Sequence, residues 1–167
     1  MNRKKIAGFL AVMLVAGVSL AGCQSVTDSP GSSVVASGLA NRVILYQNAQ
    51  PKELPIRNQE QFDALEQTVT QAIESAGDSG APGWVSSVVT EEWLEESLEG
   101  GGVVKITFAA TRDFTIGSEH RTCEELLVIQ QGNLVVFGRD GQYQSGPLAV
   151  SSEQMEKIFE NINAIPS

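Results

Sequence analysis

The chain has 167 residues, of which 42% are hydrophobic and 19% are charged. This composition is typical of a globular protein and excludes a disordered or fibrous chain. The formal net charge is −9, which excludes a strongly basic nucleic-acid-binding protein. Removal of the first 22 of the 167 residues, which are predicted below to be an export signal, leaves 145, the size of one domain.

The first 22 residues have the three parts of an export signal in the required order. A basic start, Arg3-Lys4-Lys5, precedes an apolar run from Ile6 to Leu20. This run has fifteen residues and is shorter than the ~20 that a membrane-spanning helix needs. Small residues follow at the expected cleavage site. The pattern predicts a signal peptide over residues 1–22.

The segment Leu20-Ala21-Gly22-Cys23 resembles the lipobox of bacterial lipoproteins. The resemblance implies that the Cys23 sulfur carries a diacylglycerol, that cleavage occurs before Cys23, and that the new amino group is often acylated too. Two or three acyl chains hold a protein durably on a membrane, whereas one chain binds only marginally. The resemblance therefore implies a lipid-anchored protein on the extracytoplasmic side of the cell membrane. In Gram-negative lipoproteins, an Asp directly after the lipidated Cys resembles a signal for retention in the inner membrane. This chain has Gln24 at that position, so the outer membrane is expected in a cell that has two membranes.

A flexible tether is predicted between the lipid and the folded domain. Residues 24–41 contain five serines and two glycines, with no helical or strand periodicity. An alternative is an arm that packs on the domain through Val34 and Val35. The predicted organisation is a signal peptide at 1–22, a lipidated Cys and tether at 23–41, and one domain at 42–167.

The first half of the domain predicts two strands and two helices. The strands are expected at Arg42–Tyr46 and Trp84–Val89, with a Pro-containing loop and a short extended piece, Leu54–Ile56, after the first. Asn58 is expected to cap a helix that Gly77 ends in a left-handed conformation. Thr90 is expected to cap a short acidic helix over Glu91–Leu98. The apolar positions of the first helix recur at steps of three and four: Phe62, Leu65, Val69, Ala72 and Ile73.

The second half predicts an antiparallel meander followed by a closing helix. Val104, Ile106 and Phe108 alternate with polar residues, as in a strand with one solvent-facing side. A hairpin turn is expected at 131–133, a second tight turn at 140–141, and a helix after Ser151 or Ser152. The predicted fold class is α+β: a two-layer sandwich of a mostly antiparallel sheet and two amphipathic helices.

The later part of the chain also resembles small extracytoplasmic lipoprotein domains of Gram-positive bacteria. The shared patterns are TEEWLEES (90–97), VVKITF (103–108), ELLVIQQGNLVVF (125–137) and SSEQMEKIFENI (151–162). Most of those domains have no assigned activity, so the resemblance implies a fold and an extracytoplasmic location but no reaction.

The sequence contains few groups that do chemistry. His120 is the only histidine, which excludes a multi-histidine metal site. The motifs Gly-x-Ser-x-Gly, His-Glu-x-x-His and Cys-x-x-Cys are absent, so we predict no catalytic residue, no metal and no cofactor. With Cys23 lipidated, Cys123 has no partner in the chain and is expected to be a buried free thiol or half of an intermolecular disulfide. The alternative is a small envelope hydrolase in which His120 acts with a carboxylate or with Cys123.

A long connection between two predicted strands, residues 110–122, is the candidate interaction loop. Its candidate contact residues are Arg112, Asp113, Phe114, His120 and Arg121, a charged and aromatic mixture in an acidic protein. Connections of this length often bind partners, although a wide hairpin is the alternative structure. The sequence thus favours a non-enzymatic interaction module that binds an envelope protein through this loop or through one face of the sheet. A solute-sensing module is a further alternative.

Overall fold

The computed structural model describes residues 40–77 and 83–166. The predicted signal peptide, the lipobox with Cys23 and all but the last two residues of the predicted tether lie outside these ranges. None of the helices in the described ranges is long and apolar enough to cross a membrane.

The described residues form a seven-stranded antiparallel sheet and three helices. The strands are β1 (Arg42–Gln47), β2 (Gln50–Leu54), β3 (Val103–Ile116), β4 (Glu119–Ile129), β5 (Leu134–Arg139), β6 (Gln142–Tyr143) and β7 (Leu148–Ala149). The helices are α1 (Gln59–Ser75), α2 (Glu91–Glu99) and α3 (Ser152–Asn163). The strand order is β2-β1-β3-β4-β5-β6, and β7 also pairs with β5. The predicted α+β class with a mostly antiparallel sheet is confirmed.

Helices α1 and α3 form the predicted layer on one face of the sheet. The Asn58 side chain accepts a hydrogen bond from the Gln61 N–H, and the Ser151 side chain accepts one from the Gln154 N–H, so each helix begins at a capping residue. The apolar stripe predicted for α1 is buried, and so are Met155, Ile158, Phe159 and Ile162 of α3. These stripes share one core with the even-numbered residues Val104, Ile106 and Phe108 of β3.

The short helix α2 packs on a second, smaller cluster. It begins after Thr90, whose side chain accepts a hydrogen bond from the Trp93 N–H. Its apolar side chains Trp93, Leu94 and Leu98 cover a separate set of strand residues: Val103, Leu127, Ile129 and Val136. Because neighbouring strand residues point to opposite faces, α2 lies across the sheet from α1 and α3. It covers only the part of that face near the start of β3.

Two segments of the first half differ from the expected elements. The strand after β1 is Gln50–Leu54, a hairpin partner of β1, where the sequence predicted a loop and then an extended piece. Asn48 and Ala49 both have positive φ, 50° and 59°, which is the backbone of a tight hairpin turn that Ala rarely adopts. Within Trp84–Val89 only Trp84 makes a β-bridge, to Leu148, so the strand predicted over 84–89 was wrong.

Gly77 does not have the left-handed conformation predicted for the end of α1. The helix ends at Ser75, its C-cap residue Ala76 is still right-handed, and Gly77 has no positive φ. Its role is a close backbone contact: a Cβ at residue 77 would lie 2.5 Å from the Gly117 nitrogen in the β3–β4 turn. Gly77 therefore lets the end of α1 approach the tip of the β3–β4 hairpin.

This contact gives a test of the packing of α1. We expect Gly77→Ala to lower the free energy of unfolding by about 1–3 kcal/mol, because the added methyl group meets backbone atoms that cannot rotate away. Urea denaturation of the full-length protein measures the change. Gly83→Ala is the matched control, since a Cβ there meets nothing within 4 Å. Equal stability of the two variants would contradict the packing of α1 on the turn.

Candidate binding surface

The candidate interaction loop is a β-hairpin. Strands β3 and β4 pair up to Ile116 and Glu119, and only Gly117 and Ser118 form the turn between them. Gly117 has φ +61°, which suits the first position of a two-residue hairpin turn. The loop predicted over 110–122 was therefore wrong, and the alternative of a hairpin is confirmed. We call residues 108–124, the part of this hairpin beyond the last residue pair shared by β1 and β3, the arm.

Three of the five candidate residues face the helices and hold the arm in place. Phe114 is buried and packs against Phe108 and Phe137. Arg112 forms a two-point ion pair with Glu66 of α1, with Nε 2.5 Å from Oε1. This pair is half-buried and stabilises the arm on α1.

Arg121 makes a stacking contact on the same side of the arm. Its guanidinium lies 4.5 Å from the centroid of the Trp84 ring, and one of its nitrogens donates a hydrogen bond to Gln144. Trp84 in turn packs on Phe137 of the core. Arg121 thus joins the segment after residue 83 to β4 through a cation–π interaction.

The other two candidate residues lie on the opposite, exposed side of the arm. Asp113 accepts a 2.6 Å hydrogen bond from the Thr122 hydroxyl across the two strands. His120 lies 3.3 Å from Thr115, Nδ1 to Oγ1. These are cross-strand pairs on a polar ribbon face.

The structure does not bring together the groups of the alternative hydrolase. His120 is exposed, whereas Cys123, three residues further along β4, is a buried free thiol in the core shared with α1 and α3. Burial, reinforced by the charges of Glu125 and Asp113, raises the pKa of the Cys123 thiol to about 12. Among residues 40–77 and 83–166, His120 has no hydrogen bond to a carboxylate, and no cluster of three or more metal-ligating side chains occurs.

A polar cluster that sequence reasoning missed lies on the same face as α2, beyond the part that α2 covers. The Lys105 ammonium is 2.5 Å from the Glu125 carboxylate and 6.0 Å from the centroid of the Tyr143 ring. Gly138 makes room for this cluster, since a Cβ there would lie 2.6 Å from Glu125 Cγ and 2.9 Å from Tyr143 Cε1. The alternation of β3 places Lys105 on a solvent-facing side, but only the pairing of β4, β5 and β6 brings the other two residues beside it.

The cluster is half-buried, and this burial changes the acidity of the phenol. Glu125 exposes 13% of its side chain and Lys105 26%, so the ion pair is shielded from water on most sides. Burial, followed by the neighbouring Glu125 carboxylate, raises the pKa of Tyr143 far above its usual range. The ammonium compensates the carboxylate, so the three groups form a fixed polar unit.

We call this uncovered part of the second sheet face the open face. It consists of Arg42, Lys105, Thr107, Glu125 and Tyr143, together with Asp113, Thr115, His120 and Thr122 on the exposed side of the arm. Both signs of charge are present and paired: Arg42, for example, bonds Glu53 through two contacts of 3.0 and 2.8 Å. This bond lowers the pKa of Glu53, whose carboxylate therefore stays charged. The open face is a polar surface on rigid strands.

Comparison of the chain with protein-family models, with curated proteins and with solved structures found no match.

The buried thiol and phenol predict a loss of stability in alkaline solution. Both pKa values are raised above the ordinary values of 9.0 for Cys123 and 10.0 for Tyr143. Above pH 9 the unfolded chain therefore binds fewer protons than the folded one, and the free energy of unfolding falls as the pH rises. Below that pH these two groups contribute no pH dependence. Urea denaturation midpoints between pH 7 and 11 measure the effect.

Two variants separate the contributions of the two groups. The fall in the free energy of unfolding is measured in each variant relative to that variant's own value at pH 7. We expect Cys123→Ala to remove the part of this fall that begins near pH 9. We expect Tyr143→Phe to remove the part that begins near pH 10. If both variants keep the pH dependence of the natural chain, the buried positions of these groups are wrong.

Proposed function

We propose that the protein is a lipid-anchored, extracytoplasmic lipoprotein that acts as a non-enzymatic interaction module of the cell envelope. The basic start, the short apolar run and the lipobox ending at Cys23 support the location. The membrane is one partner, through the acyl chains on Cys23, and an envelope protein bound at the open face is the other. The proposal includes no nucleic acid and no cofactor.

The observation that carries the binding role is the open face. The apolar strand residues of the domain are covered by α1, α3 and α2, whereas the strand residues around Lys105, Glu125 and Tyr143 have no helix over them in the described ranges. Ion pairs and the space left at Gly138 already fix these side chains, so binding a partner costs little side-chain entropy. A wide face that carries both signs of charge and an aromatic ring suits a protein surface.

The arrangement of His120 and Cys123 gives no support to the hydrolase alternative through that pair. A thiol needs a lowered pKa and an adjacent base to act as a nucleophile, and here the pKa is raised and the thiol lies in the core. The candidate residues of the arm instead divide into an anchoring set and an exposed polar set. That division favours a structural arm whose outer side contacts a partner.

The anchor is tested by Cys23→Ala. We expect the variant to remain an uncleaved precursor that incorporates no labelled fatty acid, because no thioether can form at residue 23. Metabolic labelling with palmitate and N-terminal sequencing measure both effects. Cys123→Ala is the matched control and should mature and label normally. Cleavage before residue 23 in the Cys23→Ala variant would overturn the lipoprotein assignment.

The open face is tested by placing a photo-reactive amino acid at Thr115 in intact cells. We expect a discrete cross-linked protein from this position, because its side chain is exposed on the proposed contact surface. The matched control is Gln67, which is also exposed but lies on α1, on the other side of the sheet. The same adduct from both positions, or none from Thr115, would contradict binding at the open face.

A further inference from the structure

Strand β3 extends well beyond the strand beside it. Strand β1 pairs with β3 only over residues 103–107. The next residues, 108–111, lie opposite Glu124 alone and form a wide bulge, after which regular pairing with β4 resumes over residues 112–116. Within the part of the chain that the structure describes, no strand pairs with the other edge of 112–116. We call this backbone edge the arm edge.

The arm edge presents backbone hydrogen-bonding groups in a regular order. A two-residue hairpin turn is closed by a hydrogen-bonded residue pair, here Ile116 and Glu119. Because the bonding direction alternates along a strand, Asp113 and Thr115 direct their N–H and C=O groups away from β4. Both of these residues are exposed. The arm edge is therefore a template for one more strand.

Helix α1 lies beside the arm edge, and one of its sides is turned toward that edge. Helix α3 lies on the β5 side of α1: Ser152, at the start of α3, accepts a hydrogen bond from Asn133 of the β4–β5 turn, and Asn161 donates one to Thr68 of α1. Residues two apart on a helix do not share a side. Glu66 of α1 therefore faces away from α3, toward the arm edge.

The side of α1 toward the arm edge is acidic. Asp63, Glu66 and Glu74 are separated by three and eight residues, a spacing that places them on one side of a helix. Glu66 is paired with the Arg112 guanidinium. Asp63 and Glu74 are exposed and pair with no cation in the described ranges. Three carboxylates against one guanidinium leave a net negative charge beside the arm edge.

We propose that the arm edge binds an extended, basic segment of a partner protein, which joins the sheet as an antiparallel strand. Directly opposite residues of antiparallel strands carry their side chains on the same face. Residues of the segment that lie opposite Arg112, Phe114 and Ile116 point to the helix side, where Lys or Arg side chains meet the carboxylates of α1. The residues between them form backbone hydrogen bonds with Asp113 and Thr115.

A second copy of the chain suits the arm edge less well than a basic segment does. Antiparallel pairing of two arm edges would bring the acidic sides of two α1 helices together, in chains that each have a formal net charge of −9. Like charges at short distance oppose such an association. The arm edge lies at a right angle to the open face, so the inference depends neither on a partner bound at that face nor on the lipid anchor.

Fluorescence anisotropy tests the inference by measuring how a labelled synthetic peptide of alternating lysine and valine binds to the full-length protein. With the lysines on the helix side, the valines carry the N–H groups that bond to the arm edge. We expect N-methylation of the valines to lower the affinity at least about tenfold relative to the isomer methylated at the lysines, because it removes those donors. Equal affinity of the two isomers would overturn the proposal, and so would equal binding of a peptide with glutamate in place of lysine.

Two double variants test the charge of α1, at an ionic strength of about 0.15 M that screens distant exposed charges. Asp63→Asn combined with Glu74→Gln removes two carboxylates beside the arm edge, and we expect it to weaken peptide binding by about threefold or more. The matched control combines Glu91→Gln with Glu95→Gln, two exposed residues of α2 across the sheet, and should leave the affinity unchanged. Equal weakening by both double variants would contradict binding beside α1.

Amide hydrogen exchange, followed by NMR, locates the bound peptide. We expect the amides of Asp113 and Thr115 to exchange at least about tenfold more slowly when the lysine–valine peptide is bound. The amides of Arg112 and Phe114 bond to β4 and should stay protected throughout, which reports that the arm is intact. Protection of Asp113 and Thr115 in the peptide-free protein would overturn the proposal, because the arm edge would then be occupied by the chain itself or by a second copy.

Discussion

The fold depends on the two-residue alternation of side chains at the two ends of β3, residues 103–108 and 112–116. The core shared with α1 and α3 contains the even-numbered side chains Val104, Ile106, Phe108, Phe114 and Ile116, whereas residues 109–111 between them are exposed. Every other element adjusts to this division. The β3–β4 pairing shifts register between Thr107 and Arg112, where the four residues 108–111 lie opposite Glu124 alone, and Cys123 and Leu126 both lie in the core. A one-residue slip of β3 would exchange its buried and exposed side chains.

The same alternation explains why charged residues can be half-buried on the open face at small cost. Lys105 sits between Val104 and Ile106, whose burial holds the backbone at that point, and its ammonium meets the Glu125 carboxylate directly. A buried charge without a partner destabilises a protein strongly, whereas a paired one is tolerated. Gly138 supplies the space, because any side chain there would push Glu125 and Tyr143 apart. The position and orientation of the three groups are therefore set by the core beneath them.

Local patterns were sufficient to predict the parts of the fold that local interactions determine. The caps Asn58, Thr90 and Ser151, and the apolar stripes of α1 and α3, follow from helix-terminal hydrogen bonds and from spacing alone. The hairpin at Asn48-Ala49 was missed because Ala rarely has positive φ, and tertiary pairing of β1 with β2 overrides that preference. The conformation of Gly77 was predicted wrongly because a glycine is needed there for a close contact with Gly117, forty residues away in the sequence.

The candidate site shows the same limit. The residue types in 110–122 were identified, but which of them face the core depends on pairing across the hairpin: Phe114 and Arg121 lie opposite each other on the helix side, and Thr115 and His120 on the exposed side. The Lys105–Glu125–Tyr143 cluster joins three strands and has no local signature. The pattern along one strand predicts which side faces solvent, and only the register between strands predicts which solvent-facing residues lie next to each other.

The arm joins two surfaces of different chemistry at right angles. Its exposed face presents side-chain groups in cross-strand pairs, such as Asp113 with Thr122, and these can recognise a partner by charge and shape. The edge of β3 beyond Thr107, past its pairing with β1, presents backbone groups, which pair with any extended chain and so give little discrimination. An exposed strand edge of this kind invites aggregation unless it is covered. Finer discrimination between partners is therefore left to the side chains of the exposed face.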